Sequence, residues 1–158
     1  MIEVITFDLD DTLWDVRPAL IKAEAAQNLW LDTHYPNTIS ELGAEDLKRI
    51  RRDVLTREPQ LAHRISAFRQ AVLQQSLEET GLATAEAEWA AKEAFGAFIA
   101  RRHDVALYPE SLPLLEELAQ DYILGALTNG NADVTKTPLG RFFDFALKAE
   151  DVGAAKPE

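Results

Sequence analysis

Three carboxylates crowd into four positions near the start of the chain, Asp8, Asp10 and Asp11 in the stretch VITFDLDDTLW (Val4–Trp14). They follow directly on a run of apolar and β-branched residues, where like charges repel and are costly to bury. Asp8 and Asp10 stand at alternate positions, so on leaving a strand both point toward one pocket while Leu9 turns into the core. Carboxylates that share a site have their proton affinities pushed apart, which suits one to nucleophilic attack and the other to proton transfer. Two carboxylates alone would repel a phosphate, so such a site needs cations. Mg²⁺ takes oxygen ligands, commonly one or two carboxylates with substrate phosphate and water, and neutralises charge in a transition state. Elsewhere in the chain, Thr128 and Asn129 in LTNG offer a hydroxyl and backbone N–H groups to phosphoryl oxygens. Lys156, followed by the stiffening Pro157, offers a compensating charge.

These segments, FDLDDTL at 7–13, LTNG at 127–130 and GAAKPE at 153–158, resemble in order the first three motifs of the haloacid dehalogenase (HAD) superfamily. The resemblance to its phosphatases, with their Asp-x-Asp-x-Thr, Thr/Ser and Lys motifs, implies a Mg²⁺-dependent two-step phosphoryl transfer. Asp8 would be the nucleophile that forms an aspartyl phosphate, and Asp10 the acid and then the base. The metal would be held by the Asp8 carboxylate and the Asp10 main-chain carbonyl. Thr128, Asn129 and Lys156 would bind phosphate, Thr12 would steady the loop, and Asp11 would be structural. Dehalogenases of the superfamily lack an acid at the position of Asp10, because a halide leaves without a proton, so Asp10 favours ester hydrolysis. FDLDDTLWDVRPAL and LTNGNAD further resemble bacterial members that act on flavin mononucleotide and on the ribitylamino-uracil phosphate of riboflavin synthesis. The substrate expected is therefore a small phosphorylated metabolite. The superfamily's fourth, acidic motif has no counterpart before Glu158, so the chain is expected to be a fragment whose core is incomplete at the C-terminus. A bare edge on the first strand would then favour self-association. The alternative is a non-catalytic binding module of the same fold with an incomplete metal site.

The elements that must position these groups can be read from periodicity. Ile2–Leu9, Tyr122–Thr128 and Phe145–Lys148 read as buried strands of a parallel sheet. Between the first two, apolar residues recur at helical spacing. One helix starts near Arg17-Pro18 with Asp15 as cap, and a break at Pro36, Asn37 and Gly43 follows it. A second runs over Glu45–Arg57, a third from Leu61 to Gly81, and a fourth is capped by Thr84. Ser111–Gln120 is a further helix, and the pattern predicts another between the last two strands. The expected fold is α/β: a Rossmann-like core of residues 1–15 and 105–158 with a helical cap, 16–104, inserted after the first motif. Ligands in such sheets sit at the carboxyl ends of the strands, where the aspartates are.

Trp14 and Arg17, just past the aspartates, are candidates for stacking on a planar substrate and for meeting an anionic group, against packing and a surface charge as the simpler readings. Trp30, Trp89, Phe68, Phe95 and Phe98 fall on helical periodicity and are expected in the core. His34, His63 and His103 belong to no motif. The chain has no cysteine and a formal net charge of −11, which excludes thiolate chemistry and opposes binding to nucleic acid or anionic membranes. No apolar run reaches a membrane span and no basic leader precedes the first strand, so the expected location is the cytoplasm.

Overall fold

The computed structural model describes residues 2–36, 38 and 41–157, so Asn37 of the expected helix break and the terminal Glu158 lie outside the described residues. Contacts divide the chain into two compact units: residues 1–22 with 101–158, and residues 23–100.

The first unit is built on a three-stranded parallel sheet of order β1-β4-β5, made of β1 (Val4–Phe7), β4 (Ile123–Thr128) and β5 (Phe145–Lys148). β1 pairs with β4 from Val4↔Ile123 to Phe7↔Ala126, and β4 with β5 from Gly125↔Phe145 to Thr128↔Lys148. This register sets the residue after Phe7, Asp8, level with the Leu127–Thr128 end of β4. β1 and β4 are shorter than the apolar runs that announce them, β5 matches its run, and among the described residues β1 has no partner on its outer edge. Leu124 and Ala126 of β4 are buried with Leu9, Leu13, Trp14 and Leu115, the last from α5 (Ser111–Leu118), in one hydrophobic cluster. Gly125 is glycine for a local reason: a Cβ there would overlap the Phe145 ring on the neighbouring strand.

Two features depart from the expected pattern. Between β4 and β5 the predicted helix is absent. Pro138 and Gly140 interrupt the segment, which forms only 3-10 turns at Val134–Lys136 and Gly140–Phe142. A two-stranded antiparallel ribbon, β2 (Trp14–Asp15) with β3 (Ala106–Leu107), joins the segments that flank the helical insert, pairing Trp14 with Leu107. Two-residue strands leave no alternation for sequence to reveal.

α1 (Val16–His34) begins where expected, the Asp15 carboxylate accepting the Arg17 N–H at 2.9 Å as an N-terminal cap. In the second unit follow α2 (Ala44–Arg57), α3 (Ile65–Glu79) and α4 (Thr84–Arg101). Leu61 falls in a 3-10 turn, Pro59–His63, rather than in α3, because Pro59 starts a new segment. α2 is opened by a one-sided cap in which the Asp46 carboxylate accepts the Gly43 N–H at 3.0 Å. Alanines 87, 90, 91 and 94 on α4 pack with Leu31, Leu73 and Leu77. Phe98 is buried as expected, with the Arg69 guanidinium 4.0 Å from its ring centre. Trp89 is not in the core: it is 52% exposed and makes a tilted ring contact with Trp30. Among the described residues no helix is long and apolar enough to cross a membrane.

Candidate active site

The chain leaves β1 at Asp8 and folds into a tight loop that returns at Trp14. Thr12 and Leu13 N–H groups both donate to the Leu9 carbonyl, at 3.2 and 2.9 Å. Asp11 sits at φ 59, in the left-handed region where aspartate is one of the better-tolerated residues. Its N–H donates to the Trp14 carbonyl at 2.8 Å and its carboxylate accepts the Val16 N–H at 3.1 Å. Asp11 therefore spends its groups on the loop. Leu9 and Leu13 anchor the loop in the core, which leaves Asp8 and Asp10 on its open side.

Asp8 is solvent-accessible, and its Oδ1 lies 2.8 Å from the Lys156 Nζ. The same ammonium donates to the Leu127 carbonyl at 2.5 Å, at the end of β4. The Asn129 side chain holds the lysine's backbone from both sides, its amide donating to the Lys156 carbonyl at 3.1 Å and its oxygen accepting the Lys156 N–H at 2.9 Å. Asn129 is thus a clamp on the lysine loop, and only its own backbone N–H remains for an anion. Thr128 is buried; its Oγ accepts the Gly130 N–H at 3.0 Å, which leaves the hydroxyl proton to donate elsewhere. Asp8, Thr128, Asn129 and Lys156, spread over 149 positions of sequence, converge at the carboxyl ends of β1 and β4.

Asp10 is engaged through both carboxylate oxygens. Trp14 Nε1 donates to Oδ1 at 2.8 Å, and Arg102 Nη2 donates to Oδ2 at 2.5 Å. Arg102 is 1% exposed, and its Nε donates to the Asn131 side-chain oxygen at 3.0 Å. Gly130 completes the arrangement, since a Cβ there would collide with Asp10 Oδ2 and press within 3.3 Å of both Arg102 Nη2 and Thr128 Oγ.

This geometry corrects one expectation. Trp14 is fully buried, so its ring has no face to offer a planar substrate, and its indole N–H serves Asp10 instead. Two donors hold the Asp10 carboxylate and leave each oxygen a lone pair for proton exchange, while the main-chain carbonyl remains the Asp10 group expected to meet a metal. Arg17 is exposed on the first turn of α1. Arg102, Asn131 and the close approach at Gly130 were not singled out from sequence. Arg102 sits among other charged residues in RRHD, and no spacing ties it to an aspartate 92 positions earlier.

Among the described residues no three His, Cys, Asp or Glu side chains gather as a metal cluster. The donors expected here are the Asp8 carboxylate, which is accessible, and the Asp10 carbonyl. These hard oxygens suit Mg²⁺, which needs few protein ligands and completes its shell with water and phosphate.

Residues 2–158 match the family described as haloacid dehalogenase-like hydrolases. The chain is 33% identical over 156 residues to the 5-amino-6-(5-phospho-D-ribitylamino)uracil phosphatase YigB of Escherichia coli K12, covering 99% of this chain and 65% of that protein. It thus spans just under two thirds of that relative's length. Among solved structures it resembles a 2-haloacid dehalogenase from Pseudomonas syringae pv. Tomato DC3000, with a TM-score of 0.92 and 46% identity over all of this chain and 68% of the other. The HAD hydrolase YfnB of Bacillus subtilis shares the fold at a TM-score of 0.57 and 20% identity, over 99% of this chain and 68% of that one.

Proposed function

The chain belongs to the haloacid dehalogenase-like hydrolase family, and on that premise we propose that it is a cytoplasmic phosphatase that hydrolyses a small phosphomonoester through an aspartyl phosphate on Asp8. The observation that carries this reading is the pair of carboxylates with different partners. Asp8 is accessible beside the Lys156 ammonium, and Asp10 is fixed one alternate position away by two donors.

In the first half-reaction an Asp8 oxygen attacks phosphorus and the bond to the leaving oxygen breaks, while Asp10 delivers the proton that the departing alcohol needs. Lys156, the Thr128 hydroxyl and the Asn129 backbone N–H bind the phosphoryl oxygens. In the second half-reaction Asp10, now the carboxylate that Trp14 and Arg102 hold, takes a proton from water. The resulting hydroxide attacks phosphorus and the bond to Asp8 breaks, releasing phosphate and restoring the nucleophile. Mg²⁺, held by Asp8 and the Asp10 carbonyl, would supply charge neutralisation at the phosphoryl group. The substrate class favoured is the phosphate of a flavin or of a riboflavin precursor, supported by the likeness to YigB. The helical insert, residues 16–104, is assigned the role of cap that selects it.

A second reading has a specific observation behind it, since a relative at 46% identity carries the name 2-haloacid dehalogenase. Displacement of halide by Asp8 needs no proton donor, however, and the presence of Asp10 two positions after Asp8 supports the phosphatase reading. One experiment separates the readings. Phosphate release from flavin mononucleotide, the ribitylamino-uracil phosphate and sugar phosphates, and halide release from 2-chloropropionate, are measured with Mg²⁺ for the wild type and Asp8→Asn. Phosphate release that is lost in Asp8→Asn is expected. Halide release without phosphate release would overturn the phosphatase reading, and turnover of neither by a folded chain would favour a non-catalytic module.

A further inference from the structure

Arg102 is the largest commitment of buried charge in the first unit, and the phosphatase mechanism as written does not require it. Taking a guanidinium out of water is costly unless it is well paired. Here the side chain is 1% exposed, its one ion pair among the described residues is with Asp10, and its Nη1 has no hydrogen-bond partner. A group placed for stability alone would gain more from an apolar side chain of similar volume. What this arrangement does achieve is geometric. The indole of Trp14 fixes one Asp10 oxygen and leaves the carboxylate free to turn about that bond. The second donor removes that freedom, and Asn131 in turn fixes the guanidinium through Nε. Gly130 leaves room for Asp10 Oδ2 in this orientation, since a Cβ there would collide with it. The two donors also come from the two segments flanking the helical insert: Trp14 lies in β2, and Arg102 follows α4 and precedes β3, which pairs with β2.

We propose that Arg102 is a positioning residue for Asp10, locking its carboxylate in the one orientation from which it exchanges a proton with the leaving oxygen. The inference rests on the phosphatase reading, and the test keeps the two apart. The parameter kcat/KM covers steps up to the first irreversible one, transfer of phosphorus to Asp8. In that step an alkoxide leaving group needs a proton and a p-nitrophenolate does not. The ratio of kcat/KM for an alkyl phosphate to that for p-nitrophenyl phosphate therefore reads how well Asp10 is placed, and it cancels any loss of folded protein.

In Arg102→Gln this ratio is expected to fall about 10- to 100-fold, the scale of a misplaced proton donor. It should fall at least as far in Asp10→Asn. Arg102→Lys, which keeps the charge but cannot fork between Asp10 and Asn131, should recover only part of it. A second readout needs no turnover. The three tryptophans give three indole N–H resonances in a ¹H–¹⁵N spectrum, and in Arg102→Gln that of Trp14 should move while those of Trp30 and Trp89 stay. A ratio unchanged in Arg102→Gln but reduced in Asp10→Asn, or an unmoved Trp14 indole, would overturn the positioning role. A ratio unchanged in Asp10→Asn would instead overturn the phosphatase reading, leaving the indole shift to decide whether Arg102 holds Asp10.

Discussion

Replacing Trp14 by phenylalanine tests how the aspartate loop is held together. Trp14 is the largest fully buried side chain and donates to Asp10 Oδ1 at 2.8 Å. The substitution removes two separable contributions. A hydrogen bond to a charged group is worth about 1.5–3 kcal/mol. The apolar atoms lost from indole to phenyl cost roughly 1 kcal/mol more, on a scale of about 0.8 kcal/mol per buried methylene. Trp14→Phe should therefore lose about 3 kcal/mol. With a urea dependence of about 1–3 kcal/mol per molar, the transition that carries the sheet should move down by about 1–3 M. Far-UV circular dichroism is the appropriate probe, since the substitution itself alters fluorescence. The decisive comparison repeats the change in an Asp10→Ala background, where only the apolar part remains to be lost, so the cost should drop to about 1 kcal/mol. An equal cost in both backgrounds would refute the claim that the indole N–H is there to hold Asp10. A total loss below about 1 kcal/mol would refute the packing argument as well.

Two further predictions concern stability. Gly125→Ala should destabilise by about 1–3 kcal/mol, because its Cβ would enter the Phe145 ring. Truncating the ring in a Gly125→Ala, Phe145→Ala double variant should recover part of that loss in a thermal melt, and a melting temperature for Gly125→Ala equal to wild type would sink the argument. The second prediction is a loss of stability in acid. The hydrogen bond from Arg49 holds Glu79 below the usual carboxylate range against a smaller opposing effect of partial desolvation, and the Thr135 hydroxyl does the same for Asp133. Both carboxyls have folded values below their unfolded ones of about 4.3 and 3.9. Their contribution is therefore complete above those values and lost as pH falls through the lower, folded ones. The melting temperature should drop on acidification below about pH 4, less steeply in Glu79→Gln and in Asp133→Asn, and a slope the same in both variants as in wild type would contradict it.

Much of this protein was legible along the chain because the signals are local. An apolar run that ends abruptly in carboxylates marks a strand feeding a polar site, and β1 with Asp8 stands there, although pairing trims the run from Ile2–Leu9 to Val4–Phe7. The helices of the insert follow from apolar recurrence and from breakers such as Pro59 and Gly81, and their limits lie within a few residues of expectation. Where the signal was weak the reading slipped. Trp89 lies on an apolar stripe yet is half exposed, since periodicity shows which face is apolar and not how far a neighbour covers it.

The loop carrying Asp8, Asp10 and Asp11, the lysine followed by proline, and the family they resemble are properties of short stretches, and sequence alone determined them. Tertiary structure alone decided the partners. That Asp8 faces Lys156 across 148 positions depends on the register of β1 with β4, and that Asn129 clamps the lysine loop depends on where β4 ends. That Trp14 is a donor to Asp10 rather than a platform for substrate depends on its burial, and that a buried Arg102 reaches Asp10 depends on the return of the chain beside β2. The physical reason is the same in each case. Side-chain type and spacing state what a residue could bond to, but a hydrogen bond forms only within about 3 Å, and only the fold brings residues so distant in sequence that close.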